Sequence, residues 1–442
     1  MNIPLMLDLG KNLTEYAQNT ADHQALCQLV NTEFLAARLK PNCCPPPDTR
    51  LGYHGRFTRT PLIDTTGQIH QVVIHLVHCP LCLQTWSVYP SLLIPHKHYD
   101  AYAVQNVLED VLSREMTYLA TTRQKQQLTS QGMPQPNQFN HARTPWQWLV
   151  WLGQFPLPFI LLAAGLLPPA YAVEDEKFLS QNGGKTYVLG LVDHRYDWLW
   201  WLDYIEATDQ VAIEASLRRF LEVVLNQMGQ PHEFAGITGD DWAAARNAFA
   251  AINPRTVLAQ CLLHPLLKFQ SVLATFARLT KTPAPRLSQL KSAFFEVLFA
   301  PGQLAWDQRL AALRKLPECT HPLLADHLDS LERKREGLGF HFIDPNLALT
   351  SSAIDRQFQR LERKFVSMQQ FRASESGRAT LNAWAIVRAF RRFGAEAKRC
   401  GQSPIELAGV NLAGLPWLQF VMLRMSKVCW LNQQSPSQLT QF

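Results

Sequence analysis

Between residues 171 and 262, segments with the apolar pattern of β-strands are interleaved with segments of helical periodicity. Three strand-like segments come first, AVEDEKFL, KTYVLGLV and WLWWLDYIEA, and a helical segment follows over 209–228. A strand-like FAGIT, a helical DDWAAARNAFAAI and a strand-like TVLAQCLL complete the series. Strands that alternate with helices in this way predict an α/β domain.

Helical patterns dominate the rest of the chain, over 264–340 and again over 351–399. Three strands, a helix, a strand, a helix, a strand and a distal helix is the element order of an RNase H-like fold. We therefore predict an RNase H-like core over 166–266 and 346–442, with an all-helical insertion over 267–345.

The first 165 residues are organised differently. Residues 1–40 have a helical pattern, and residues 93–165 are helical around a loop rich in Gln and Asn. Between them, residues 41–92 combine the turn sequence PNCCPPP, the alternating strand VVIHLVH and the segment CPLCLQTW. We predict an N-terminal helical segment, a small β element with cysteines, and a helical region with room for a helix-turn-helix.

The composition restricts the class of protein. Hydrophobic residues make up 47% of the 442 residues and charged residues 18%, which excludes a largely disordered chain. Nine cysteines are too few for a disulfide scaffold, so we expect a reducing, cytoplasmic environment. The 42 Lys and Arg exceed the 36 Asp and Glu only mildly, which permits a polyanionic partner without requiring one.

One uncharged stretch, residues 144–173, has the hydrophobicity of a membrane segment. It is broken by Pro156, Pro158, Pro168 and Pro169, and its longest proline-free apolar piece covers residues 159–167. That piece is far shorter than the ~20 residues that a spanning helix needs. The N-terminal MNIPLMLDLGKNL also lacks the basic start of a signal peptide. We therefore predict a buried connector and no membrane association.

Three aspartates occupy positions that suit metal binding. Asp175 lies inside the first predicted strand, Asp240 follows the fourth, and Asp355 begins the last helical block. A carboxylate in an apolar strand is costly unless it is paired or binds a metal. Together the three carboxylates could hold two Mg²⁺ ions for phosphoryl transfer. Taken singly, they also fit an exposed strand residue, a helix N-cap and an acidic first helical turn.

The sequence around these aspartates forms an ordered series of blocks. These are AVEDEKFLSQNGGKTYVLGLV, ITGDDWAAARNAFAAINPRTVLAQCLLH, TSSAIDRQFQRLERKF and, near the C-terminus, GQSPIELAGV. The series resembles the motif blocks of DDE/D-type insertion-sequence transposases over roughly residues 172–410, apart from the insertion.

The resemblance implies a DNA transposase that cleaves and joins strands at transposon ends. Asp175, Asp240 and Asp355 would hold Mg²⁺ or Mn²⁺, and Cys261 and His264 would support the active-site strand. The partner would be double-stranded DNA, bound by a homo-oligomer that is nucleoid-associated. The family usually has Glu at the third position, so a catalytically inactive, transposase-derived DNA-binding protein is the alternative. Glu362, two helical turns on, is a second candidate for that ligand.

The cysteines of the N-terminal part indicate a zinc site. Cys79-Pro-Leu-Cys82 is a typical metal-binding knuckle, and its surroundings resemble the N-terminal zinc ribbons of many such transposases. The earlier NCCPPP has Pro47 where the first knuckle should have its second cysteine. Two hypotheses stay open, a metal-free ribbon held by packing and a zinc site built from a wider set of ligands, Cys43, Cys44, Cys79, Cys82 and His54.

Positive charge is concentrated late in the chain. Residues 356–399 contain eleven Lys and Arg but only three Glu. Four of the basic residues follow i, i+4, i+7, i+8 spacing beside Asp355, and these are Arg356, Arg360, Arg363 and Lys364. A basic stripe next to a phosphoryl-transfer site suits the DNA backbone, so we predict DNA contact. The alternative is a solvated helix face.

Overall fold

The computed structural model divides the chain into two compact units. The terminal unit consists of Met1–Leu167 together with Lys364–Phe442, and the central unit is Pro168–Arg363. The structure describes residues 5–9, 13–36, 50–64, 68–81, 83, 85–94, 97–113, 143–181, 184–196, 198–368, 374–394 and 399–431.

The terminal unit contains a four-stranded sheet. Its strands are β1 (Leu5–Leu7), β2 (Gly52–Ile63), β3 (Ile69–His78) and β4 (Thr85–Pro90). The order is β1-β4-β3-β2, with β1 parallel to β4 and the other neighbours antiparallel. The apolar side chains of Val72 and Ile74 are buried, since the alternation of β3 directs them to one face.

Within the described residues, five helices of the terminal unit precede the central unit. They are α1 (Leu13–Asn19), α2 (His23–Ala36), α3 (Ala101–Leu112), α4 (Arg143–Gly153) and α5 (Leu157–Ala163). In the part of the chain that the structure describes, no single helix is long and apolar enough to cross a membrane. Together, α4 and α5 have the length and apolar composition of a membrane span, but the chain bends by 67° between them. Their Leu149, Leu152 and Leu157 are fully buried.

A five-stranded mixed sheet forms the core of the central unit. Its strands are β5 (Tyr171–Gln181), β6 (Gly184–Asp193), β7 (Trp198–Ile205), β8 (Gly236–Gly239) and β9 (Val257–Gln260). The order is β7-β6-β5-β8-β9. The first three strands pair antiparallel, whereas β8 is parallel to β5 and β9 is parallel to β8. The predicted α/β class is therefore confirmed, with all five strands close to their predicted positions.

Two helices connect the parallel strands of this sheet. They are α6 (Gln210–Met228), which leads into β8, and α7 (Ala243–Ile252), which leads into β9. The Asp209 side chain caps α6 by accepting a hydrogen bond from the Ala212 amide at 2.8 Å. Gly229 ends the helix in the left-handed conformation, with φ of 69°, which only glycine adopts without strain.

The segment after β9 is entirely helical, as its periodicity predicts. It contains α8 (Leu263–Thr280), α9 (Ala284–Leu298), α10 (Gln303–Arg314), α11 (Pro322–Arg333) and α12 (Arg335–Ile343), with a 3₁₀ turn at Pro317–Thr320. These helices have their own apolar core, in which the Phe269 and Phe294 rings stack at 3.9 Å. Helix α13 (Ser352–Met368) then returns to the sheet.

The last helices pack in the terminal unit. They are α14 (Ser374–Phe390), α15 (Pro404–Leu407) and α16 (Trp417–Leu431). A side chain at Gly153 would overlap the Ala379 backbone, so this glycine lets α4 and α14 touch. The Trp417 indole also donates to the Glu109 carboxylate at 2.7 Å. This grouping differs from the predicted one, which joined residues 346–442 to the core.

Candidate metal centre

Four carboxylates meet where the pairing between two parallel strands ends. Strand β5 pairs with β8 through residues 171–173, and Glu174, Asp175 and Glu176 follow directly. Asp240 comes immediately after β8. The carboxyl ends of parallel strands are where α/β sheets bind ligands, so the position suits a functional site.

Three of these carboxylates form a group, the carboxylate triad, with the geometry of a metal site. Asp175, Glu176 and Asp240 each offer an oxygen, and the three oxygens all lie within 4.8 Å of one another. All three side chains are half-buried. Asp240 is not the N-cap of α7, since that position belongs to Trp242, whose amide donates to Asp240 Oδ1 at 2.8 Å. The ordinary explanation for this aspartate, a helix cap, is therefore wrong.

Asp355 lies near the triad because α13 packs closely on one face of the sheet. Asp175 is paired with Gly190 across the β5–β6 ladder, so both positions face the same side. A Cβ on Gly190 would lie 2.6 Å from Ile354 Cδ1 and 3.2 Å from the Phe358 ring, both on α13. Among the described residues Asp355 does not belong to the close group, but its charge acts on Asp175.

The electrostatics of the site oppose full ionisation. Burial raises the pKa of Asp175 to about 7, and the charges of Asp355 and Asp240 add to the effect. Burial also raises the pKa of Glu176 to about 8, with Asp240 and Asp175 contributing. The pKa of Glu174 is raised well above its ordinary value, by burial and then by Glu176. Protons or a cation must therefore neutralise part of this charge at neutral pH.

The donor set fits a divalent cation. Glu174 Oε2 and Glu176 Oε1 are buried acceptors that have no hydrogen-bond partner among the residues that the structure describes. Glu174 approaches so closely that a side chain at Gly239 would overlap it. Buried polar atoms are nearly always satisfied, so orphaned carboxylate oxygens point to a missing positive partner. Oxygen-only ligands favour Mg²⁺ or Mn²⁺ over softer metals.

Cys261 and His264 form a hydrogen-bonded pair beside the triad. Burial disfavours a charged thiol at Cys261, but hydrogen bonds with His264 and Ser351 outweigh it and hold the pKa of the thiol below its ordinary value. The hydrogen bond with Cys261 raises the pKa of His264 to about 9, aided by the charges of Cys261, Asp175 and Asp240. The imidazole is therefore a cation at neutral pH, close to the acidic residues.

The loop before α13 is fastened to the ends of the parallel strands. Thr238 Oγ1 donates to the Ala348 carbonyl at 2.8 Å, and the Leu262 amide donates to the Leu349 carbonyl at 2.9 Å. The Ser351 amide donates to Cys261 Sγ at 3.1 Å. The Ser351 hydroxyl in turn donates to Asp355 Oδ2 at 3.5 Å. These bonds fix the first turn of α13 relative to Asp240.

Replacing Gly190 with valine should separate α13 from the sheet. The added side chain would overlap the buried Ile354 side chain, and overpacking of this kind costs about 1–3 kcal/mol of unfolding free energy. Chemical denaturation measures the loss. In an Ile354→Ala background the penalty should largely disappear. A penalty that is the same in both backgrounds would show that Gly190 does not set the position of the helix.

Glu362, the second candidate for the third ligand, and the arginines of the predicted stripe are outside the close group of carboxylates. Glu362 is exposed and pairs with Lys177 at 3.3 Å, so it is engaged away from the triad. Arg356, Arg360 and Arg363 share an exposed face of α13.

Lys364 is a correction to the predicted stripe. Its side chain is only 3% exposed, and its ammonium donates to the Val111 carbonyl. The reason is geometric, because eight residues place Lys364 about 80° round the helix from Arg356. A buried ammonium with a backbone partner cannot contact DNA. The stripe therefore consists of Arg356, Arg360 and Arg363.

The predicted zinc ligands are only partly described. Cys43, Cys44 and Cys82 lie outside the described residues. Cys79 is buried in the apolar core of the terminal unit. His54 is exposed, and its ring lies 5.1 Å from the His78 ring. Zinc binding therefore stays a prediction.

Comparisons with known proteins do not identify a function for this chain. Residues 44–126 match the family described as "Domain of unknown function (DUF6431)". This region lies in the terminal unit, outside the strands that carry the triad. No curated protein matches the chain.

Proposed function

We propose that the protein is a DDE/D-type transposase with an RNase H-like catalytic core in the central unit. The observation that carries the proposal is the convergence of Asp175, Glu176 and Asp240, with Asp355 nearby, at the ends of parallel strands. The strand order β7-β6-β5-β8-β9 supports it, since three antiparallel strands followed by two parallel ones suit that core. Its substrate would be double-stranded DNA at transposon ends.

The carboxylates would hold the metal that this chemistry needs. Asp175, Glu176 and Asp240 would hold it, and Asp355 would supply a further carboxylate nearby. A bound pair of Mg²⁺ or Mn²⁺ ions would activate the attacking oxygen and neutralise the phosphate during an in-line displacement. Asp175 and Glu176 would release their protons on binding, because only the ionised carboxylate is a ligand.

Other residues of the site would orient and balance the charges. Ser351 joins Cys261 to Asp355 and so holds the first turn of α13 at the triad. The charged His264 lies close enough to act on Asp175 and Asp240, where it would attract the phosphate of a DNA strand. Positioning and charge neutralisation would therefore supply most of the catalysis.

A catalytically inactive DNA-binding descendant is the second candidate. It is favoured by Asp355, which is shorter than the usual Glu and lies outside the close group. Incubating the purified chain with plasmid that carries the DNA flanking its gene separates the two functions. Transposase activity predicts nicks that need Mg²⁺ or Mn²⁺ and leave a 3′-hydroxyl. Binding without nicking in either metal would favour the inactive descendant.

The exposed stripe on α13 should contribute to DNA affinity. Arg356, Arg360 and Arg363 offer up to three phosphate contacts. Changing all three to Gln should reduce the slope of log K against log[salt] by up to about 2.7 for duplex DNA. The fold should persist, because exposed charges contribute little to stability. Fluorescence anisotropy at several salt concentrations measures the slope, and an unchanged slope would identify a solvated face.

A further inference from the structure

A cavity of about 80 Å³ opens beside the carboxylate triad. Its lining includes Asp241, which follows Asp240, and His264, whose charge acts on the triad. The first turns of α8 contribute Lys268, α11 contributes His327, and Lys334 follows the end of α11. This volume is several times the ~10–15 Å³ that one water molecule needs, which is enough for a phosphate group.

The charges around this cavity favour an anion. Lys268 is exposed, and no carboxylate pairs with it in the part of the chain that the structure describes. Asp241 is the one acidic side chain in the lining, and it is shared among three donors. Lys334 pairs with its Oδ2, while Arg246 and the Gln260 amide donate to its Oδ1 at 3.2 and 2.5 Å. Positive charge therefore exceeds negative charge at the rim.

Both lysines lie close enough to His327 for their charges to act on it. His327 is 8% exposed, and its ring stacks on Phe269 at 5.4 Å. Burial lowers the pKa of His327 to about 4, and the charges of Lys268 and Lys334 act in the same direction. The His327 imidazole is therefore neutral at physiological pH, and the two ammonium groups join the His264 imidazolium as the cations that an entering anion would meet.

Helix α8 continues this polar surface away from the triad. His264, Lys268, Ser271, Thr275 and Arg278 follow spacings of four and three residues, which places them on one face. The opposite face carries the buried Leu266, Phe269, Leu273 and Phe276. Lys268, Ser271 and Arg278 are exposed and extend over about 15 Å of helix. Hydroxyls and basic side chains are the groups that contact DNA phosphates.

We propose that this cavity binds one backbone phosphate of the DNA strand engaged at the triad, clamped by Lys268 and Lys334. The strand would then leave the site along the polar face of α8, past Ser271 and Thr275 to Arg278. The proposal rests on the proposed function for its substrate, but it concerns binding and not cleavage. It assigns a strand-binding role to the helices between β9 and α13.

Binding of a single-stranded oligonucleotide to the full-length protein in EDTA tests the proposal without any metal chemistry. The variant Lys268→Gln/Lys334→Gln should reduce the slope of log K against log[salt] by up to about 1.4, since each phosphate contact on single strands contributes ~0.7. The matched control Lys291→Gln/Lys315→Gln removes two exposed charges from other helices of the same segment, and its slope should stay unchanged. Equal reductions in both variants, or none in either, would overturn the proposal.

Two further arms keep the result unambiguous. Lys268→Gln alone changes one exposed helix position, so it should fold normally and reduce the slope by up to about 0.7. Competition by inorganic phosphate at fixed ionic strength tests the other source of the same ligand. Phosphate binding that depends on the lysines, together with an unchanged DNA slope, would assign the cavity to a free phosphate and reject the strand. A normal slope change in a protein that never nicks DNA would reject the transposase and leave the strand site.

Discussion

Asp175→Asn and Asp240→Asn are each expected to abolish metal-dependent nicking. An amide keeps the shape of the side chain but loses the negative charge that a divalent cation needs. Metal catalysis supplies several kcal/mol, so the nicking rate should fall about a thousandfold or more. Plasmid nicking in Mg²⁺ and in Mn²⁺ measures the loss. Glu176→Gln should have a comparable effect if Glu176 is a ligand and not a neighbour.

Asp209→Asn is the matched control for these variants. It makes the same chemical change in the same unit, and Asn also caps helices well, so α6 should be unaffected. Nicking by Asp209→Asn should equal that of the wild-type chain. Full activity in Asp175→Asn or Asp240→Asn would contradict the assignment of the triad.

The second large effect concerns stability as a function of pH. Asp175 and Glu176 have folded-state pKa values of about 7 and about 8, above the values of unfolded chains. The folded state therefore binds more protons than the unfolded state between about pH 4 and 8, and the metal-free protein should lose stability as pH rises through that range. His264, with a raised pKa of about 9, shifts stability in the same direction once its unfolded form deprotonates above about pH 6.5.

Mg²⁺ should reverse this loss at pH 8 and have little effect at pH 5. A hundredfold excess of ligand over its Kd stabilises by about 2.7 kcal/mol, which raises the Tm of a unit of this size by about 5–10 °C. Differential scanning fluorimetry at both pH values measures the shift. Asp175→Asn should melt higher than the wild-type chain in EDTA at pH 8 and should no longer respond to Mg²⁺. Stability that rises with pH in EDTA would contradict the raised pKa values.

The strands of the central unit are predictable because their signal is local. Continuous apolar runs such as WLWWLDYI reflect burial on both faces, and β7 is buried throughout. Asp175 is predictable because it is a carboxylate inside a predicted strand, and Asp240 because it directly follows one. The sequence therefore predicts those parts of the site whose conformation depends on a few neighbouring residues.

Glu176 was missed because strand periodicity argues against it. Adjacent strand residues point to opposite faces, so a sequence argument places Asp175 and Glu176 on different sides. They join one group because β8 stops pairing with β5 after Val173, and Asp240 reaches both from beyond its end. That end point depends on pairing between segments more than sixty residues apart. The run of three acidic residues in a strand was the available signal.

The positions of Lys364 and of the last helices also depend on contacts between segments that are distant in sequence. The carbonyl that Lys364 contacts belongs to Val111, which is distant in sequence, and spacing along α13 does not reveal it. The segment LNAWAIVRAF of helix α14 is mostly apolar, so its pattern predicts burial but not its partner. The close contact between Gly153 and Ala379 identifies that partner in the terminal unit.

Diffraction from crystals soaked in Mn²⁺, recorded at a wavelength with anomalous signal, tests the metal centre most directly. We expect an anomalous peak bound by carboxylate oxygens of Asp175 and Asp240, with ligand distances of about 2.1 Å and a further ligand from Glu176 or Asp355. The Asp240→Asn crystal, treated identically, should lack the peak. A wild-type crystal with no peak at these carboxylates, or with manganese bound only elsewhere, would contradict a metal centre at the carboxylate triad.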